Sequence, residues 1–326
     1  RRQLLVGLLG IPATLMALED AVQTLPSIIL HLNDDRMAFL EDQMAARWDL
    51  YYTGGSLKAA RGLETWINEI ARSSEENQGT SWHQRSLALL SLSYQLQSCI
   101  LRDSMNYSQA HVAAQKAYQI AAELDDPELI ASAIAREGLI FTQQEKPLDA
   151  IKYLTGALSK IHYLGLPTLK GYIIQGLSEA QAKAQQPQEC WQSVGQLERI
   201  LERREQPYEQ NNTRLSIASA IAQKGINAVL LQDYHRALSL IDKSLVTYDP
   251  TMVRGRARLL AQKAEAYYGI SYIDESVTIA SEALTLAHSV GASKTLARIH
   301  KLHAILVQSP WRKERSVARL GAQLSL

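Results

Sequence analysis

Cysteine is nearly absent: Cys99 and Cys190 are the only two in 326 residues, and they lie far apart in the chain. Two isolated thiols exclude a disulfide framework and a zinc motif. They suit a reducing, cytoplasmic compartment in which each acts as a small buried hydrophobe. An excess of charge of one sign is lacking as well. The formal net charge of +1 gives no general pull toward nucleic acid or an anionic membrane. Alternating apolar and polar runs, the mark of strands, are scarce. No G-x-x-x-x-G-K loop occurs, and "GASKT" at 291–295 lacks the spacing that cradles phosphates; G-x-S-x-G and H-E-x-x-H are also missing. His300 and His303 stand three apart, but no third ligand lies nearby in sequence, so they read as a surface or capping pair. Carboxylates at helical spacing beside Lys and Arg read as solvated faces. These absences point away from an enzyme, a cofactor or a metal.

What is present is helical periodicity. Apolar residues recur at three and four along nearly the whole chain, and the 9 prolines and 17 glycines fall mainly between such stretches. Residues 126–143 read as one helix with Asp126 as N-cap and Pro127 in its first turn. Residues 147–163 read as its partner, and the short connection makes the two antiparallel. A small residue then marks the start of each second helix, with an apolar or small residue four later. The series is Ala59 and Leu63, Ala110 and Ala114, Ala150 and Leu154, Cys190 and Val194, Ala237 and Ile241, Ser276 and Ala280. The anchors stand 51, 40, 40, 47 and 39 residues apart. Twelve residues before each anchor the first helix carries Ser98, Gly138, Ser178, Gly225 or Ala264, and only Arg47 breaks this rule.

Small residues facing each other let two helix axes approach to the short end of the usual ~8–10 Å. Each pair then leaves an apolar side that the next pair covers, so the core grows in one dimension. The expectation is an all-α, right-handed superhelical solenoid of about six antiparallel pairs. Residues 34–308 form the array, behind an apolar linker over 1–33. After the sixth pair, "ASKTLARIHKLHAILVQ" reads as a further first-type helix. Residues 309–326 then cap the end, with Ser309 as N-cap and Trp311, Val317, Leu320 and Leu324 as the buried stripe.

A stack of this kind offers a concave groove lined by its first helices, suited to a peptide or a partner protein. Projection from the small positions places Met44, Trp48, Tyr51 and Tyr52 there from the first unit, and Gln95, Cys99 and Arg102 from the second. The third unit contributes Ala135, Leu139 and Thr142, the fourth Tyr172, Gln175 and Glu179. The fifth presents an apolar stretch of Ala222, Ile226 and Val229 with Asn227 as a backbone clamp, and the last presents Arg258, Glu265 and Tyr268. Aromatics with Arg and Gln are what a recognition surface favours.

The pattern resembles the tetratricopeptide repeat over roughly residues 35–308. Gly225, Tyr234, Ala237 and Ile241 carry the resemblance, as do Gly138, Phe141, Ala150, Leu154 and Ala157; the period near 40 exceeds the usual 34 of that repeat. The ends add to it. "RRQLLVGLLGIPATLMAL" before the array and "SPWRKERSVARLGAQL" after it resemble the sensor half of Xre-type helix-turn-helix bacterial regulators, relatives of the peptide-pheromone receptors. The resemblance implies a DNA-binding domain upstream of Arg1, contact with DNA only through that domain, and a peptide or protein ligand in the groove with a possible homodimer. Two alternatives stand beside it, a stand-alone scaffold and an exported repeat protein using Arg1-Arg2 as a twin-arginine signal with cleavage near Ala17. Against export, Pro12 interrupts the apolar run and no A-x-A site precedes Glu19-Asp20. The run is also too short for a membrane span of ~20 residues.

Overall fold

The computed structural model describes residues 33–202, 209 and 211–325. The linker reading over 1–33 thus lies outside the described residues except for Asn33, whose side chain caps the first helix by accepting from Arg36 N at 2.9 Å. Helices follow one another in pairs, and no strand occurs among the described residues. The first helices are α1 (Asp34–Gly54), α4 (Ser81–Asp103), α6 (Pro127–Gln143), α8 (Pro167–Lys183), α10 (Ile217–Leu230) and α12 (Val253–Gly269). Their partners are α2 with α3 (Ser56–Ala60 and Leu63–Glu76), α5 (Tyr107–Glu123), α7 (Pro147–Lys160), α9 (Pro187–Leu201), α11 (Tyr234–Thr247) and α13 (Ile273–Ser289). Then come α14 (Ser293–Gln308), a 3₁₀ turn (Pro310–Lys313) and α15 (Arg315–Leu324). This is an all-α helical repeat.

The tight turns share one device. Met105, Asp125, Glu145, Gln185, Gln232 and Ser271 all take positive φ, between 51° and 64°. In each case the next amide reaches back five residues, as in Lys146 N to Phe141 O at 3.0 Å and Gln186 N to Gln181 O at 2.9 Å. That left-handed residue satisfies the last carbonyls of one helix and reverses the chain for the next. At the start of α6 the expected cap is made, with Asp126 Oδ1 accepting from Glu128 N at 2.9 Å and Leu129 N at 3.0 Å. The partner helix α7 ends at Lys160, and residues 161–163 are turn.

All six anchors and all six residues four beyond them are buried. A Cβ placed on Gly138 would stand 2.9 Å from Leu154 Cγ, and one on Gly225 would stand 2.7 Å from Ile241 Cγ1. The large side chains of the second helices therefore fill the space that the glycines leave. The exception also has a reason. Arg47 is fully buried, and the second helix opposite it breaks at Arg61-Gly62, where Arg47 Nη1 donates to Arg61 O at 2.8 Å. Its guanidinium lies 5.3 Å from the Trp66 ring centre, and burial lowers its pKa to about 10. A bulky cation stands where small residues stand elsewhere, and one helix becomes two. At the other end Ser309 accepts from Trp311 N at 3.2 Å. Val317 and Leu320 are buried as a stripe, while Trp311 and Leu324 are only partly so.

Candidate functional site

The first helices wind until the sixth unit meets the first. A Cβ on Gly55 would stand 2.8 Å from Val290 O, and one on Gly291 would stand 2.7 Å from Leu57 Cδ1. Asp103, at the end of α4, clasps the two ends. Its carboxylate accepts from Tyr51 Oη at 2.8 Å, from Ser56 Oγ at 3.2 Å and from Arg102 at 3.1 Å, and it pairs with Arg254 of α12. Arg254 also lies 4.0 Å over the Tyr51 ring. The closed superhelix surrounds a cavity of about 1330 Å³.

Of the residues expected in the groove, Tyr51, Tyr52, Arg102, Tyr172, Gln175, Glu179 and Arg258 line this cavity, with Cys99, Leu139 and Thr142. Others sit elsewhere. Trp48 (1% exposed), Gln95 (0%) and Asn227 (0%) are interior. Trp48 lies beneath Arg136, Gln95 Oε1 accepts from Arg136 Nε at 3.0 Å, and Asn227 Nδ2 donates to Ser178 Oγ at 2.9 Å. Glu265 accepts from Arg298 at 2.7 Å, and Tyr268 packs edge-on against Trp311; neither lines the cavity. Met44, Ala135, Ala222, Ile226 and Val229 are core residues.

Arg136 was not foreseen, and it is central. Nη1 donates to Tyr172 Oη at 3.0 Å and Nη2 to Asn211 O at 3.1 Å. Its guanidinium lies 4.3 Å from the Trp48 ring centre and 5.4 Å from that of Tyr172. No carboxylate pairs with it among the described residues, so aromatic faces and neutral acceptors surround the buried cation.

The second unforeseen feature is the connection between α9 and α10, whose described part enters the cavity. Glu209 accepts from Thr168 N and Leu169 N at 2.7 Å each, capping α8, which has no cap from its own preceding residue. Asn211 is fully buried; its N–H and its side-chain amide donate to Glu128 Oε1 at 3.1 and 2.7 Å. Asn212 O accepts from Tyr52 Oη at 3.0 Å, and burial pushes the Tyr52 phenol up to about 12, so it stays a donor at neutral pH. Arg214 pairs with Asp49 and lies 4.7 Å over the Tyr52 ring. The 47-residue spacing from Cys190 to Ala237, against 40 in the unit before, is the sequence trace of this insertion.

Across the cavity, Glu179 accepts from Arg258 at 2.7 Å and from Gln223 at 3.4 Å. Burial alone would raise its pKa, but Arg258 with Lys183 and Lys294 holds the carboxyl down to about 2. A carboxyl depressed on folding stabilises above its unfolded value, and that contribution is lost as pH falls through the folded value. Between about pH 4.5 and 2 the wild type is therefore expected to lose stability that Glu179→Gln does not lose; parallel slopes in urea midpoints over that range would refute the pairing. Both cysteines are free and buried, and burial pushes the Cys190 thiol up to about 11. No group that could hold a metal occurs among the described residues, and none of their helices is long and apolar enough to cross a membrane.

No protein-family model matches the chain, and no curated protein matches it. Solved structures do. A Rap protein complexed with competence and sporulation factor aligns with a TM-score of 0.64 at 11% identity, over 96% of this chain and 86% of that one. BtubC from P. vanneervenii aligns with a TM-score of 0.50 at 15% identity, over 70% of this chain and 92% of that one. At these identities the likeness establishes the helical-repeat fold.

Proposed function

We propose that this chain is a peptide-binding helical-repeat domain, and that it is the sensor half of a bacterial transcription regulator rather than an enzyme. The observation that carries peptide binding is the grip on Asn211 and Asn212. Arg136 and Tyr52 donate to two successive main-chain carbonyls while Glu128 accepts a main-chain amide. These three contacts hold backbone, which is what capture of an extended chain requires, and Glu128 also accepts from the Asn211 side-chain amide. The cavity, at about 1330 Å³, also exceeds the ~300–1,000 Å³ usual for small-molecule sites. The Rap neighbour, in complex with its factor, has the same architecture. The regulator half rests on the resemblance of residues 1–18 and 309–324 to Xre-type proteins, and the first of these stretches lies outside the described residues.

The test is retention of peptides. A mixed-sequence hexapeptide library equilibrated with the protein and separated by ultrafiltration should leave a retained subset, identified by mass spectrometry. Tyr172→Ala, which strips an aromatic from the cavity wall, should weaken that binding about tenfold or more. No retained peptide, or equal retention by the variant, would sink the assignment. The reading frame upstream of Arg1 tests the regulator half: a basic helix-turn-helix within roughly a hundred codons supports it, and a start codon next to Arg1 ends it.

A further inference from the structure

The contacts that hold the α9–α10 connection leave the far end of the cavity unexplained. Seven Lys and Arg side chains line the cavity against four carboxylates, and all four carboxylates are engaged. Asp103 holds Arg254, Glu179 holds Arg258, Glu209 caps α8, and Asp249 accepts from Thr251 N at 2.8 Å. Arg136, Lys243 and Lys294 have no carboxylate partner among the described residues; Arg136 donates to Gln95, Tyr172 and Asn211 and Lys243 is exposed, so the half-buried cation without a hydrogen bond is Lys294. It makes no hydrogen bond or ion pair with any described residue, although Glu179, Arg258, Lys183 and Arg298 all stand near enough to act on it. Burial of its charge, with three cations against one carboxylate nearby, holds its pKa well below the ordinary lysine value. The one carboxylate that acts on this amine, Glu179, is already paired with Arg258.

The backbone around it has the same deficit. Lys294 is the second residue of α14, which no side chain caps at Ala292. Ser293 N donates to Gly291 O at 3.0 Å and Leu296 N to Ala292 O at 3.1 Å, while the amides of Lys294 and Thr295 find no acceptor among the described residues. Ala292, Lys294 and Thr295 all line the cavity. An uncapped helix start offers N–H donors and the positive end of the helix dipole to an anion. Here an unpaired lysine stands on that same turn and faces the same space.

We infer that Lys294 and the open first turn of α14 receive a carboxylate of the bound peptide, supplied by its C-terminus or by an Asp or Glu side chain. This rests on the peptide reading above and adds the chemistry that would orient the ligand. The acidic group lies toward α14, away from Arg136 and Tyr52, which hold the chain's own Asn211 and Asn212 carbonyls. Asp and Glu side chains and chain termini present the same two oxygens, so the shared chemistry is the carboxylate.

Three hexapeptide mixtures test it: one without Asp or Glu and with a free C-terminus, the same mixture amidated, and an amidated mixture that includes Asp and Glu. The wild type should retain the first or the third at least tenfold better than the second. Preference for the first assigns the C-terminus, and preference for the third assigns a side chain. Lys294→Met should lose that preference while retaining the uncharged mixture as the wild type does. It removes an amine whose charged form burial already disfavours, so its Tm should match or exceed that of the wild type; if it melts lower, Lys294→Gln repeats the measurement. Equal retention of all three mixtures by the wild type overturns the carboxylate site and leaves the peptide reading standing, as does a preference that survives in Lys294→Met. Retention of none of the three overturns the peptide reading, and this inference with it.

Discussion

Arg136→Met is expected to lower the stability of the protein by about 2–4 kcal/mol and to release the connection between α9 and α10. Met fills much of the same volume, so the loss is not chiefly a cavity. It comes from groups that lose a donor. Gln95 Oε1 and Asn211 O each accept from the guanidinium, and an orphaned buried acceptor costs about 1–3 kcal/mol. The cation–π contact with Trp48 at 4.3 Å adds about 2 kcal/mol where the cation is desolvated. Against these stands the desolvation of the guanidinium itself, since an apolar replacement of a buried charge can be stabilising. The orphaned acceptors decide the sign. Urea unfolding measures the loss, and cleavage by protease within residues 211–216 reports the release. A variant as stable as the wild type, with that segment still protected, would show that Arg136 does not hold it.

The difference between what the sequence revealed and what it hid follows the range of the interactions. The pairing of α6 with α7 or α10 with α11 is local. Small residues at Gly138 and Gly225, turn residues a few positions on, and Leu154 or Ile241 opposite are all within one unit. The irregular Arg47 was legible as an exception, though not as the helix break it causes. The groove was harder because its face depends on curvature summed over units. Ala135 and Arg136 are neighbours on α6, and an inward face more than ~100° wide includes both. Projection chose the alanine, which is core, and passed over the arginine that organises the site. Closure had no local signal either. Asp103 and Arg254 are 151 positions apart, and nothing near either one announces the other. Where the wall tightens, Trp48, Gln95 and Asn227 are core rather than lining. The inserted segment left only an unusually long spacing, and its contacts with Glu128, Arg136 and Tyr52 could not be read from that number.

Gly225→Val is expected to destabilise the array by about 3 kcal/mol, an overpacking cost in a site with no slack. The added Cβ would stand 2.7 Å from Ile241 Cγ1 and 3.2 Å from the Ile241 backbone nitrogen. A side-chain end can rotate away, but a backbone atom moves only if α11 does. Moving α11 disturbs its contact with α12, which carries Arg254 and Arg258. The opposing gain is small, since glycine is a poor helix former by ~1 kcal/mol and valine recovers only part of that. Gly156 provides the control: a Cβ there meets nothing within 4 Å, so Gly156→Ala should be neutral or stabilising by up to about 1 kcal/mol. The double variant Gly225→Val with Ile241→Ala separates the two sources of strain. If the clash with the side chain dominates, the pair should lose at least about 1 kcal/mol less than the sum of its single changes. If the losses simply add, the backbone contact sets the cost, and the glycine is needed for the approach of the helices themselves.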